Sequence, residues 1–122
     1  MNCPKCKAAM EIVAFDGIEV DRCTACKGIW FDVLEKEHLC EMDGAEAIDV
    51  GERPADSADE HRRILCPVCK TLMITMSVMG HPELKYESCT VCFGAFFDAG
   101  EFREFKGGGN ALPHFLRGLV GQ

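Results

Sequence analysis

The sequence predicts a small, metal-stabilised α+β protein: two tandem copies of one unit, then a C-terminal amphipathic helix. Each unit is a β-hairpin with two C-x2-C knuckles, followed by a short helix. Three observations predict it. Eight of the nine cysteines fall in C-x2-C pairs, the chain aligns with itself over about 40 residues, and the residues between the pairs alternate with a period of two.

The repeat is in register beyond its cysteines. Cys3-Pro4-Lys5-Cys6-Lys7 matches Cys66-Pro67-Val68-Cys69-Lys70, and Cys23-Thr24-Ala25-Cys26 matches Cys89-Thr90-Val91-Cys92. Gly28 then pairs with Gly94, Trp30 with Phe96, Phe31 with Phe97, Asp32 with Asp98, Glu35 with Glu101 and Leu39 with Phe105. The second copy is three residues longer between its pairs.

Those intervening segments read as hairpins. Ile74, Met76 and Val78 alternate with Thr75 and Ser77, and Leu84 and Tyr86 with Lys85 and Glu87, about a turn at residues 79–83 that holds His81. In the first copy Asp16-Gly17 is the turn signal. Asp32 with Glu35, and Asp98 with Glu101, have capping-box spacing with Asp as the cap, which predicts helices near 32–42 and 98–106.

Two C-x2-C turns present four sulfurs to one ion, completing a tetrahedral S4 shell. Soft thiolates in that geometry favour zinc, or iron. The ligands are therefore Cys3, Cys6, Cys23 and Cys26 for one ion, and Cys66, Cys69, Cys89 and Cys92 for a second. A unit of about 40 residues buries too little apolar surface to fold unaided, so metal is expected to be part of the fold. Cys40 faces Lys106 in the repeat and reads as a half-buried helix cysteine. The four histidines, His38, His61, His81 and His114, show no ligand spacing and read as solvent-facing. Lys5, Lys7, Lys27 and Lys70 flank the thiolates and should soften their charge.

Charge and composition exclude several classes. The formal charge of −7 becomes −11 once eight thiolates hold two divalent ions. Neither half of the chain is basic, which disfavours nucleic-acid binding through phosphates. No apolar run approaches the roughly 18–20 residues of a membrane span, and the N-terminus lacks a secretory apolar stretch, so the expected location is cytoplasmic. Closed S4 shells, with no nucleophile–base pair or paired carboxylates, predict no enzyme and no small-molecule substrate.

The expected organisation is a first unit over 1–43, an acidic linker over 44–64, a second unit over 65–106, and a Gly-rich hinge with the amphipathic helix over 107–122. In that tail Leu112, Phe115, Leu116, Leu119 and Val120 form a helical stripe behind Pro113. Six of the eight phenylalanines fall between 93 and 115, more than one small unit encloses. Either the units pack on each other or a partner covers them. Phe93 and Phe102 replace Lys27 and Lys36 of the first copy, so the second unit reads as the adhesive one. Phe93, Phe102, Leu112, Phe115, Leu116 and Leu119 are the expected contact residues, for a protein partner or for self-association. Trp30, Phe31, Phe96 and Phe97 read as internal packing in preference to base-stacking.

CPxC, a hairpin, CxxCxG, an aromatic-Phe-Asp and a trailing Glu together resemble the transcription factor zinc-finger family, the zinc ribbon of the transcription factor IIB type, over residues 2–42 and 65–106. The resemblance implies two Zn2+ per chain at the eight paired cysteines, and a link to transcription. The expected function is a double zinc ribbon acting through macromolecular contacts, chiefly protein–protein. Three alternatives stand beside it: a nucleic-acid-binding ribbon, a rubredoxin-like iron electron carrier, and a redox-regulated zinc chaperone. Rubredoxin-like knuckles usually carry glycine after each pair, where this chain has Lys7, Lys27, Lys70 and Phe93. CxxCxG is similar to half the repeat of DnaJ-type zinc domains, but Trp30 and Phe96 stand where its second glycine belongs.

Overall fold

A computed structural model of the chain describes residues 1–52, 63–78 and 81–106, the side chains of 81–83 excepted. Among the described residues six strands form one antiparallel sheet: β1 (Met10–Phe15), β2 (Ile18–Cys23), β3 (Ile29–Phe31), β4 (Ile74–Val78), β5 (His81–Ser88) and β6 (Ala95–Phe97). Two helices, α1 (Glu35–Cys40) and α2 (Glu101–Lys106), follow the third strand of each repeat.

The strand order is β1-β2-β3-β6-β5-β4, so the two units are halves of a single sheet joined edge to edge. At the seam Ile29 pairs with Phe97, Trp30 with Phe96, and Phe31 with Ala95. Since Ile29 corresponds to Ala95 and Phe31 to Phe97 in the repeat, this pairing is reciprocal. A local two-fold axis therefore passes between Trp30 and Phe96.

Alternation along the two short seam strands divides the core. Ile29, Phe31, Ala95 and Phe97 face the helices, where Phe102, Leu39, Val20, Ala45 and Ile48 complete one cluster. Trp30 and Phe96 face the other way, into a cluster with Cys3, Cys23, Cys66 and Cys89. On the helix side the Tyr86 and Phe97 rings stack at 4.6 Å, and Phe31 and Phe102 lie 4.9 Å apart. Each fully buried phenylalanine stabilises the fold by about 1.5–3 kcal/mol, so the seam is a large share of the core.

The Asp16-Gly17 turn forms with φ of 51° and 86°, the left-handed pair that a tight hairpin requires. Both helices are shorter than expected and begin three residues after the aspartates. The carboxylate half of the expected box is present: Asp32 N–H donates to Glu35 Oε1 at 2.9 Å, and Asp98 N–H to Glu101 Oε1 at 3.0 Å. The residue before each helix, Leu34 or Gly100, is left-handed, with φ of 72° and 85°. Gly100 adopts this freely, whereas Leu34 does so at a cost of roughly 1–2 kcal/mol.

Four sequence expectations need correction. The acidic segment expected at 44–64 does not begin as a linker. Ala45–Ile48 forms a 3-10 turn whose Ala45 and Ile48 are buried, and the next residue, Asp49, is also buried. Asp49 Oδ1 and Oδ2 accept the N–H groups of Gly100 and Arg103, each at 2.8 Å, so ribbon 1's trailing segment caps the first turn of α2. Residues 53–62 of the expected linker lie outside the described residues. His81 opens β5 instead of sitting in a turn, with a register shift at Ser77/Val78 taking up the extra length. Phe102 is fully buried against Phe31 and Phe97, because the seam places both repeats' aromatics under α2, so it contacts no partner. Cys40 is buried, not half-buried. The expected tail helix, with Leu112, Phe115, Leu116 and Leu119, lies outside the described residues, as do His61 and His114.

Candidate metal centre

Each hairpin closes two knuckles on one side of the sheet. Cys3 N–H donates to Ala8 O at 2.8 Å, Cys23 N–H to Gly28 O at 2.8 Å, Cys66 N–H to Thr71 O at 2.8 Å, and Cys89 N–H to Gly94 O at 2.9 Å. Within each pair the second cysteine's N–H donates to the first one's sulfur, at 3.2–3.5 Å. The residue following each pair is left-handed: Lys7, Lys27, Lys70 and Phe93 have φ of 71°, 67°, 66° and 63°. The position rubredoxin-like knuckles give to glycine thus keeps its conformation here without glycine.

The result is two sets of four sulfurs, Cys3/Cys6/Cys23/Cys26 and Cys66/Cys69/Cys89/Cys92, each set lying within 4.8 Å. Cys3 and Cys26 sulfurs are 3.8 Å apart, Cys66 and Cys92 3.7 Å, and Cys6 and Cys23 3.3 Å. Tetrahedral zinc–sulfur bonds of about 2.3 Å place ligand sulfurs about 3.8 Å apart, so both sets fit such an ion. The first cysteine of every pair is buried, and the second reaches the surface or lies partly open.

The titration pattern fits the same reading. The hydrogen bond between Cys26 and Cys3 holds the Cys3 thiol well below its ordinary range, and the same bond, with burial, pushes the Cys26 thiol up. Burial raises Cys89, but the Cys92 N–H, the Thr71 hydroxyl and the Val91 N–H outweigh it and lower that thiol. Burial pushes Cys92 up to about 12. Four thiolates so close repel one another, and a bound cation reverses that preference. The Thr71 hydroxyl, 3.6 Å from the Cys89 sulfur, has only Ala8 as its counterpart in the first ribbon.

All eight predicted ligands are therefore assembled as the sequence paired them. The flanking lysines divide. Lys7 and Lys70 donate to the Pro4 and Pro67 carbonyls of their own knuckles. Lys5 instead crosses the seam. Its Nζ lies 2.9 Å from Asp98 Oδ2, 3.1 Å from Glu87 Oε1 and 5.8 Å from the centre of the Phe96 ring, with its side chain 6 % exposed. Burial opposes its charge, but Asp98 and Glu87 overcome this and hold its pKa above the ordinary lysine range. The repeat carries a trace of this role: Lys5 is the knuckle residue that the second copy replaces, with Val68. Trp30 lies internally, as expected, and its Nε1 donates to Asp32 Oδ1 at 3.1 Å. In the second ribbon Phe96 has no such donor, and the corresponding Asp98 takes Lys5.

A hairpin with two cysteine knuckles around a four-sulfur site defines the zinc-ribbon class, and the chain holds two such units. Residues 2–42, about a third of the chain, match the family described as the transcription factor zinc-finger. The second four-cysteine set, at 66–92, is consistent with a tandem ribbon. No curated protein and no solved structure matches the chain.

Proposed function

We propose that the chain is a two-zinc double ribbon that works by binding another protein, with both ions structural. The single observation behind the contact surface is an asymmetry around the second metal centre. Leu65, Val68, Leu72, Ile74, Val91 and Phe93 are all exposed, Phe93 by 65 %. Their counterparts in the first ribbon are Asn2, Lys5, Ala9, Glu11, Ala25 and Lys27. Around the second centre six exposed positions are thus apolar, where the first ribbon has alanine, polar or charged residues and a Lys5 turned into the seam, and such a cluster of exposed apolar side chains suits a protein interface.

Closed four-sulfur shells leave no coordination position for a substrate, which supports a non-catalytic role. Two further features favour protein over nucleic acid. The working charge is −11, and the four aromatics matched across the repeat, Trp30, Phe31, Phe96 and Phe97, are buried in the seam. A role connected to transcription rests on the family description alone, and a cytoplasmic location on the sequence. Among the described residues no helix is long and apolar enough to cross a membrane.

The test places a photo-crosslinking residue at Phe93 and, as control, at Lys27, and maps adducts formed in cells. A discrete protein adduct specific to position 93 supports the proposal. Identical adducts at both positions, or adducts dominated by nucleic acid, refute it. Metal analysis of protein purified without added metal tests the zinc assignment separately, since bound iron with strong visible absorption would make the ribbons electron-transfer centres.

A further inference from the structure

We infer that the two metal centres load as one cooperative unit, each ion raising the affinity of the other centre. The inference rests on the part of the proposed function that places an ion at each cysteine set. It is carried by three contacts that tie the knuckles of one ribbon to the other.

The first two are reciprocal. Gly28, whose carbonyl closes the second knuckle of centre 1 by accepting the Cys23 N–H, sits directly beneath the Phe96 ring. A Cβ placed on Gly28 would lie 2.3 Å from that ring. Gly94 closes the corresponding knuckle of centre 2, and a Cβ there would lie 2.2 Å from the Trp30 ring. Each knuckle, once closed, therefore shapes the seat for the other ribbon's central aromatic. The glycine of CxxCxG is required here by close approach across the seam, since neither Gly28 nor Gly94 has a left-handed φ.

The third contact is Lys5. It stands between two ligands of centre 1, Cys3 and Cys6, and its ammonium is held by Asp98 and by Glu87, which lies two residues before Cys89 of centre 2. Glu87 also pairs with Phe96 in the sheet. Lys5 is a positioning residue: it touches no metal but fixes the first knuckle of one centre against the strand that leads into the other.

The shared cluster completes the argument. Cys3, Cys23, Cys66 and Cys89 lie in one apolar cluster with Trp30 and Phe96. Ordering either four-cysteine set orders half of that cluster and one of the two seam strands. The second set then forms on a structure already in place, which is positive coupling between sites. Coupling of this kind typically amounts to roughly five- to 150-fold in affinity.

The experiment titrates metal-free, reduced protein with zinc and counts zero-, one- and two-ion species by native mass spectrometry, with cobalt absorption in parallel to report four-sulfur coordination. Independent equal centres give half the molecules one ion at one equivalent. Tenfold coupling lowers that share to roughly a quarter. Unequal centres raise the share, so a variant isolates the coupling. Cys6→Ser with Cys26→Ser disables centre 1 at its two exposed ligands and keeps the buried Cys3 and Cys23. Centre 2 should then bind zinc at least fivefold more weakly than it does with centre 1 filled, and Lys5→Met, which keeps all eight ligands, should shrink that ratio when added to both proteins. Unchanged affinity of centre 2 in the double variant overturns the cooperative unit while leaving the two-zinc assignment intact. Absence of any thiolate-bound cobalt overturns both.

Discussion

The two ribbons share their C-x2-C knuckles and helix placement, with the second hairpin three residues longer, yet they solve the same local problem differently. At Asp32 the neighbouring aromatic supplies the hydrogen bond, through Trp30 Nε1. At Asp98 the aromatic is Phe96, without a donor, and the partner is Lys5 from the first ribbon. Ribbon 1 also sends Asp49 to cap the helix of ribbon 2. Both contacts bring a ribbon 1 side chain to a ribbon 2 group that has no equivalent supply of its own: Lys5 to the Asp98 and Glu87 carboxylates, and Asp49 to the start of α2. Around its metal centre ribbon 2 also carries the exposed apolar side chains Leu65, Val68, Leu72, Ile74, Val91 and Phe93. A duplicated unit can thus divide its duties, one half supplying structure and the other a surface.

The largest test of that division is Lys5→Met. It leaves Glu87 and Asp98 without their main cation in a buried place, and removing one partner of such a group costs about 3–5 kcal/mol. The zinc-loaded protein should melt well below wild type. Exchanging the two knuckles' chemistry by Lys5→Val with Val68→Lys should not rescue it, because Trp30 already serves Asp32. Recovery of wild-type melting in the exchanged protein would show that the dependence is symmetric after all.

Gly94→Ala is next. The new methyl would fall inside contact distance of the buried Trp30 ring, an overpacking cost of typically 1–3 kcal/mol. The clash involves the outer indole atoms, so adding Trp30→Phe should restore part of the lost melting temperature. An equal loss with and without Trp30→Phe would place the strain in the knuckle instead of the seam.

A smaller effect is expected from Glu101. Burial, with the charges of Asp98 and Glu87 adding to it, pushes its carboxyl up to about 8, so the folded protein holds a proton that the unfolded chain releases near its ordinary value. Stability from this group is present at low pH and is lost as pH rises toward 8. Glu101→Gln keeps the bond from Asp98 N–H and removes the titration. Relative to this variant, wild type should lose stability between pH 6 and pH 8.5, both proteins being zinc-saturated. A constant difference across that range would remove Glu101 from the account. The corresponding Glu35 is raised mainly by burial too, but less deeply, so Glu35→Gln should give the weaker slope.

The smallest stability change is expected at Phe93. Phe93→Lys installs the first ribbon's residue at an exposed site, and surface changes of this kind usually stay within about 0.5 kcal/mol. Partner capture should fall while melting holds. A large loss of stability would mean that Phe93 packs within the protein.

The ligand sets, the repeat, the hairpins and the position of the two helices were legible in the sequence because each depends on neighbours close in the chain. Cys-x2-Cys spacing decides a knuckle, Asp16-Gly17 a turn, and two-residue alternation a strand. What lay beyond reach was set by distance in the chain. Ile29–Phe31 and Ala95–Phe97 are too short for any period to register, and nothing local says that they pair with each other. That seam decided that Phe96, Phe97 and Phe102 of the second ribbon are core, that Lys5 serves a carboxylate 93 residues away, and that Asp49 belongs to a helix 51 residues further on. It also explains Gly28 and Gly94, whose spacing was plain in the sequence but whose reason is an aromatic ring from the other half. Metal chemistry is written in local spacing, whereas the joining of two metal-held units depends on which open sheet edges meet, and only the tertiary structure decides that.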